Sequence, residues 1–256
     1  PMKLLKISFI HTMRIVDLSL KINRHMIGIP KLHHYDENPT RCVVLSAVTE
    51  KQLEGIRARG LEVADDPDIG LSMVSRLEIL GHSGTHIDAP MHFLEEGWTI
   101  DEVPLESIVK KGRVIPLTDA APNSLITADM ILDSGVDFDA SVIPVLYTGW
   151  TDRTWGSQLF WDDMIGMDES VSHLMIERGV SAVAIDFFPE IAFWNLDGPP
   201  EKPGINHRLL LGNQIIIIQM LNNIGALGDG DFTLVAVPLA LEGLDGSPAR
   251  VFAMVD

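Results

Sequence analysis

The chain has 256 residues, 46% of them hydrophobic and 21% charged, which suits one large domain with a full core and argues against wholesale disorder. Its 36 acidic and 19 basic residues give a net charge of −17, so a phosphate backbone is repelled and nucleic acid is a poor partner. Cys42 is the single cysteine, which excludes an intrachain disulfide, and no apolar run reaches transmembrane length.

Residues 1–12 faintly resemble a signal peptide but lack a sustained apolar stretch and a small-residue cleavage site, so they are expected to form a peripheral extension. The domain is expected to span 13–256. Residues 14–20 alternate with a period of two and predict a strand, and 42–48 and 72–80 read similarly. Cys42, in an apolar run, reads as a small buried side chain rather than a nucleophile. Residues 101–109 carry early acids and are followed by Lys110 and Lys111, which predicts a helix matched to its dipole. A strand is expected at 113–117, a helix at 127–134 with Thr127 as N-cap, and a strand at 142–147. The clearest helix spans 168–178, with Val171, Leu174 and Met175 on one face and Gly179 as C-cap. Strands follow at 181–186, 215–218, 232–238 and 250–255. The run Ile215 to Ile218 looks buried on both faces. The Pro-rich residues 196–204 predict an active-site loop. Strands and helices mixed throughout predict a single α/β domain.

Three of the nine histidines, His82, His86 and His92, fall with Asp88 inside eleven residues. Gly84 and Pro90 argue against a regular helix there. In an extended segment His86 and Asp88 point the same way, and a turn at Ser83-Gly84 can bring His82 round to join them. Thr85 can hold the loop through backbone hydrogen bonds. Imidazole nitrogens with a carboxylate oxygen are ordinary ligands for zinc or manganese. On the residues alone, a solvated or hydrogen-bonded histidine loop is an equal alternative.

The segment from His82 to His92 fits the pattern His-x-Gly-Thr-His-x-Asp-x-Pro-x-His at every fixed position. It resembles the signature of the cyclase-like metal-dependent hydrolases, a family that includes bacterial kynurenine formamidase and isatin hydrolase. Residues 14–19, 147–156, 206–212, 237–239 and 242–250 are similar to further family segments, so the resemblance runs from about residue 13 to the end.

The resemblance implies a mixed β-sheet core flanked by helices, in the swivelling β/β/α arrangement of that family. It implies metal ligation by His82, His86 and Asp88, with His92 as general acid/base. His207 would be a second-metal ligand or a substrate contact. Many members carry a glutamate where this chain has Gln219. A glutamine offers one neutral carbonyl oxygen, so two close divalent ions would be poorly compensated. One divalent ion is therefore expected, with Gln219 as a ligand through its side-chain oxygen. Manganese is favoured, as in the isatin hydrolase it resembles, and zinc is permitted.

The activity implied is hydrolysis of a cyclic amide, with isatin-like ring opening to isatinate. The alternatives are arylformamidase action on N-formylkynurenine and metal binding without catalysis. Residues 27–30 lack an aromatic side chain often found there in formamidases. Trp155, Phe187, Phe188, Phe193 and Trp194 fall in or near predicted loops and suit a flat aromatic substrate. His33 and His34 read as exposed and carry no assigned role, and His173 reads as an exposed helix residue. A small-molecule substrate, a cytoplasmic location, no membrane partner and a homodimer or homotetramer complete the expectation.

Overall fold

The computed structural model describes residues 13–23, 26, 41–45, 54, 57–60, 74–190 and 202–255. Twelve strands and six helices are used below: β1 Arg14–Asp17, β2 Arg41–Leu45, β3 Val74–Glu78, β4 His86–Asp88, α1 Leu105–Ile108, β5 Val109–Pro116, β6 Leu125–Ile126, α2 Ala128–Asp133, β7 Val142–Tyr147, α3 Trp150–Thr154, α4 Leu159–Asp162, β8 Gly166–Met167, α5 Glu169–Glu177, β9 Ala182–Ile185, α6 Ile205–Gly212, β10 Ile216–Gln219, β11 Asp231–Pro238 and β12 Gly246–Val255. The extension at 1–12, His33, His34, residues 27–30, Phe193, Trp194 and most of the loop at 196–204 lie outside the described residues, as does the side chain of Cys42.

The main sheet runs β1-β12-β11-β5-β7-β9-β10-β4, and β12 also pairs with β4. That extra pairing closes the sheet into a barrel. Residues Gly246 to Pro248 of β12 meet β4, while its far end, Phe252 to Val255, carries β1 on the same edge. The stretch β5-β7-β9-β10 is parallel, and the other pairings are antiparallel. This is the mixed α/β single domain expected from the strand and helix pattern.

Period-two alternation divides each central strand between two cores. Ile87, Val145, Ala184, Ile216, Ile218, Leu234 and Ala253 fill one. Ile185, Ile217, Trp150, Phe160, Leu174 and Leu210 build the other, between the sheet and its helices. β10 contributes to both and is fully buried, as its unbroken isoleucines predict.

The strand at 142–147 and the two capped helices follow the sequence closely. Thr127 accepts from the Met130 N–H, and Asp168 accepts from the Ser170 N–H. His173 is exposed on α5. The helix expected at 101–109 is different: only Leu105–Ile108 is helical, and Lys110 and Lys111 lie in β5. Pro104 occupies the N-cap, and pairing of residues 109–113 with β11 outweighs the dipole preference. Residues 150–154 and 205–212 form helices that the sequence pattern did not predict.

Candidate metal centre

The histidine segment makes a turn, a short strand and a second turn. Gly84 adopts φ +61°, a left-handed conformation that glycine takes at little cost. Thr85 Oγ1 donates to the Met220 carbonyl at 2.7 Å and accepts from the Leu20 N–H at 2.8 Å, so it does hold the loop. β4 then lies between β10 and β12, with His86 opposite Gln219 and Asp88 opposite Ile217 and Gly246. Pro90 starts a 3-10 turn at a position where its missing N–H costs nothing. His92 closes that turn and returns towards the cluster.

From the other side comes α6. Its N-cap is Gly204, which has no side chain to satisfy the first N–H groups. Glu190 does so instead: one oxygen accepts from the His207 N–H at 2.9 Å and from His207 Nδ1 at 2.7 Å. Asn206 secures the same turn by donating to the Met167 and Pro189 carbonyls at 2.8 and 2.9 Å and accepting from Ser172 Oγ. The helix can therefore enter only with His207 facing β10 and β4.

All six residues singled out in the sequence meet in this corner. His82 Nδ1 is 2.7 Å and His86 Nε2 is 3.3 Å from Asp88 Oδ1, while His207 Nε2 is 3.4 Å from Asp88 Oδ2. Gln219 Nε2 contacts Asp88 Oδ2 and stands 3.2 Å from His207 Nε2. Asp88, His92 and His207 each offer one ligand-type atom, all within 4.8 Å of one another, and the same holds for His82, His86 and Asp88. Asp88, His86, His207 and Gln219 are buried, whereas His82 and His92 sit at the solvent edge. Access is therefore from the side of His92.

Hydrogen bonds fix the ring nitrogens that face the cluster. His86 Nδ1 donates to the Gly84 carbonyl at 2.7 Å, which leaves Nε2 as the inward lone pair. Glu190 does the same for His207, in the manner of outer carboxylates behind metal-bound histidines.

Burial alone would raise the Asp88 carboxyl, but His82, His207 and His86 hold it well below the usual range. Burial would lower His82 and His207, yet Asp88 and Asp245 push His82 up to about 10, and Asp88 and Glu190 push His207 up to about 9. These imidazoles balance a buried anion, a task a divalent cation would share.

The residues present fit such a cation. The set offers imidazole nitrogens, one carboxylate and one amide, a mixture suited to zinc or manganese. Gln219 Oε1 is the one buried side-chain polar atom without a partner among the described residues. A buried orphan acceptor next to a nitrogen and oxygen donor set is what a cation satisfies.

Three further residues complete the site. Asp245, before β12, accepts from His82 and His92. Glu190 supports His207. Phe93 stacks on His207 with ring centroids 4.8 Å apart and meets His92 edge-on at 4.9 Å. Only the aromatic type of Phe93, directly after the motif, was a signal in the sequence. Phe188 is 5.9 Å from the His207 ring, but Phe187 is fully buried in the core and is not a wall of the site.

The family described as putative cyclase matches residues 16–189, more than half of the chain, and the chain belongs to that family. The kynurenine formamidase of Geobacillus thermodenitrificans (strain NG80-2) is 30% identical over 178 residues, covering 69% of this chain and 78% of that protein. That of Bordetella petrii is 28% identical over 177 residues, with the same coverage of 69% and 78%. Isatin hydrolase A from Labrenzia aggregata bound to benzyl benzoate shares the fold at a TM-score of 0.75 and 21% identity, over 95% of this chain and 94% of that one. A predicted metal-dependent hydrolase from Bacillus stearothermophilus does so at 0.69 and 24%, over 96% and 100%.

Proposed function

We propose that this member of the cyclase family is a metal-dependent hydrolase that cleaves a C–N amide bond in a small aromatic substrate. The observation that carries this reading is the convergence of His82, His86, Asp88, His207 and the Gln219 amide, whose oxygen has no partner, with His92 beside them at the open edge. His82, His86, Asp88 and Gln219 would hold one divalent ion. Manganese is preferred because Asp88 is the only anion among these four and Gln219 adds a hard neutral oxygen. When bound, such an ion supplies Lewis acidity and lowers the pKa of a coordinated water.

The chain's own groups would handle the proton. His92 takes it from the attacking water and returns it to the departing nitrogen, so the carbonyl carbon gains the hydroxyl group and the nitrogen gains a hydrogen. His207, held by Glu190 and stacked under Phe93, can in its protonated form donate from Nε2 to a carbonyl oxygen. Phe93, only partly buried, gives a flat substrate an aromatic ring to rest against.

An isatin-like cyclic amide is the first candidate, on the strength of Gln219. Deformylation of N-formylkynurenine is the second, because the two kynurenine formamidases are sequence relatives. Manganese-loaded protein assayed on isatin and on N-formylkynurenine separates them. His92→Ala is expected to keep its metal and lose about 100-fold or more in turnover. Wild-type turnover in that variant would remove the proposed acid/base, and inertness of the loaded protein towards both amides would favour a metal-binding role.

A further inference from the structure

One oxygen of Asp245 joins two of the site's imidazoles. Its Oδ2 lies 2.9 Å from His82 Nε2 and 3.0 Å from His92 Nδ1. The two rings lie almost face to face, with centroids 3.9 Å apart and a tilt of 31°. An ionised carboxylate only accepts hydrogen bonds, so both nitrogens facing it carry hydrogen. In a neutral imidazole the opposite nitrogen then holds the lone pair. For His82 that is Nδ1, which donates its hydrogen to Asp88 at 2.7 Å while the imidazole is protonated and presents a lone pair there once a cation displaces that proton. For His92 it is Nε2.

The chain holds this carboxylate in place. The Asp245 carbonyl accepts from the Ala89 N–H at 3.0 Å, next to Asp88 in β4. One residue earlier, the Leu244 carbonyl accepts from the Ile100 N–H at 2.8 Å, and the Gly243 N–H donates to Asp101 at 3.1 Å. The following residue, Gly246, pairs with Asp88. The side chain itself is 47% exposed, so core packing does not account for its position.

We propose that Asp245 is a positioning residue that selects the tautomers of His82 and His92 together, leaving His82 Nδ1 free to ligate and His92 Nε2 free to accept a proton. The geometry stands alone, while its catalytic use rests on the hydrolase reading above. A single oxygen serving both rings also means that an asparagine carbonyl can replace it, whereas alanine cannot.

The test uses zinc-loaded, 15N-labelled protein, since zinc is diamagnetic, and reads the histidine tautomers from long-range 1H–15N correlations. Wild type is expected to show His92 protonated at Nδ1 and not at Nε2. Asp245→Ala should shift His92 towards the opposite tautomer, and kcat for the amide that wild type hydrolyses should fall about 10–100-fold with KM little changed. Asp245→Asn should restore the tautomers and most of kcat, with zinc content at the wild-type level in both variants. A wild-type His92 protonated at Nε2, unaltered tautomers in Asp245→Ala, or unaltered kcat in that variant would each overturn the proposal. Loss of zinc from both variants would do so too, because it would make Asp245 a ligand. If wild type hydrolyses no amide, the hydrolase reading fails, and the tautomer spectra still decide the role of Asp245.

Discussion

Replacing Gln219 with glutamate tests why one cation rather than two should occupy the site. Gln219 is almost fully buried and its amide nitrogen touches Asp88 Oδ2, so Gln219→Glu sets a second carboxylate against a completely buried one. Two unit charges about 4 Å apart repel by about 4 kcal/mol at an effective dielectric near 20. Protonation of the new carboxyl limits the cost to about 1.4 kcal/mol for each pH unit above about 4.3, hence about 4 kcal/mol at pH 7 and about 1 kcal/mol at pH 5. His207, 3.2 Å from the amide nitrogen and held at about 9, offsets part of this. The expected deficit in chelator at pH 7 is about 2–4 kcal/mol, a fall in Tm of roughly 5–15 °C for a chain of this size. The new carboxyl has a raised pKa in the folded state, so the deficit shrinks as pH falls and grows as it rises. With excess manganese the variant should recover and bind two ions per chain, against one in wild type. Scanning calorimetry with chelator or manganese, together with metal analysis, reads both effects. Two ions on wild type, or a chelated variant as stable at pH 7 as at pH 5 relative to wild type, would refute the charge argument.

Metal binding should release a proton: His82 and His207 are held at about 10 and about 9, and His82, the ligand of the two, must be neutral to bind. Manganese affinity is expected to rise by about tenfold per pH unit for each proton displaced between pH 6.5 and 9, measured by calorimetry in buffers of different ionisation enthalpy; a flat profile counts against it. Both folded-state values lie above the ordinary 6.5, so the stabilisation of chelated protein is complete below pH 6.5 and disappears as pH passes 9 to 10. At Gly246 a Cβ would fall 2.6 Å from His82 Cε1 and 2.9 Å from the Ile87 carbonyl oxygen. Gly246→Ala should therefore cost about 1–3 kcal/mol and weaken metal binding about 10–100-fold by displacing the His82 ring. Gly212→Ala, where nothing lies within 4 Å, is the control and should leave the metal affinity unchanged.

Residues close in sequence were legible, and residues brought together only by the fold were not. The density of histidines around Asp88 marked β4 and its turns, and the period of two placed His86 and Asp88 on one side before any coordinates. Capping chemistry located α2 through Thr127, and α5 was marked by its apolar face and by Gly179 after its end. α6 was missed because Asn206 and His207 at its start are buried for polar reasons, which breaks the apolar stripe that periodicity detects. Lys110 and Lys111 mimic a helix end, yet β11 recruits them into a strand. Glu190 and Asp245 gave no local signal. Each is one acid among many in a chain of net charge −17, and its partner lies 17 residues away for Glu190 and 163 or 153 residues away for Asp245.

β4 has three residues, and both its neighbours are far along the chain: Asp88 faces Ile217 on one side and Gly246 on the other. Its middle residue, Ile87, belongs to the opposite core. A slip of a single position would bury the imidazole and the acid in that oily layer and present a hydrocarbon to the cation. The shortest rung of the barrel thus behaves as an on–off latch, so the ion should meet either a whole site or none, and its grip should report the closing of the ring rather than local order in the loop that carries the motif.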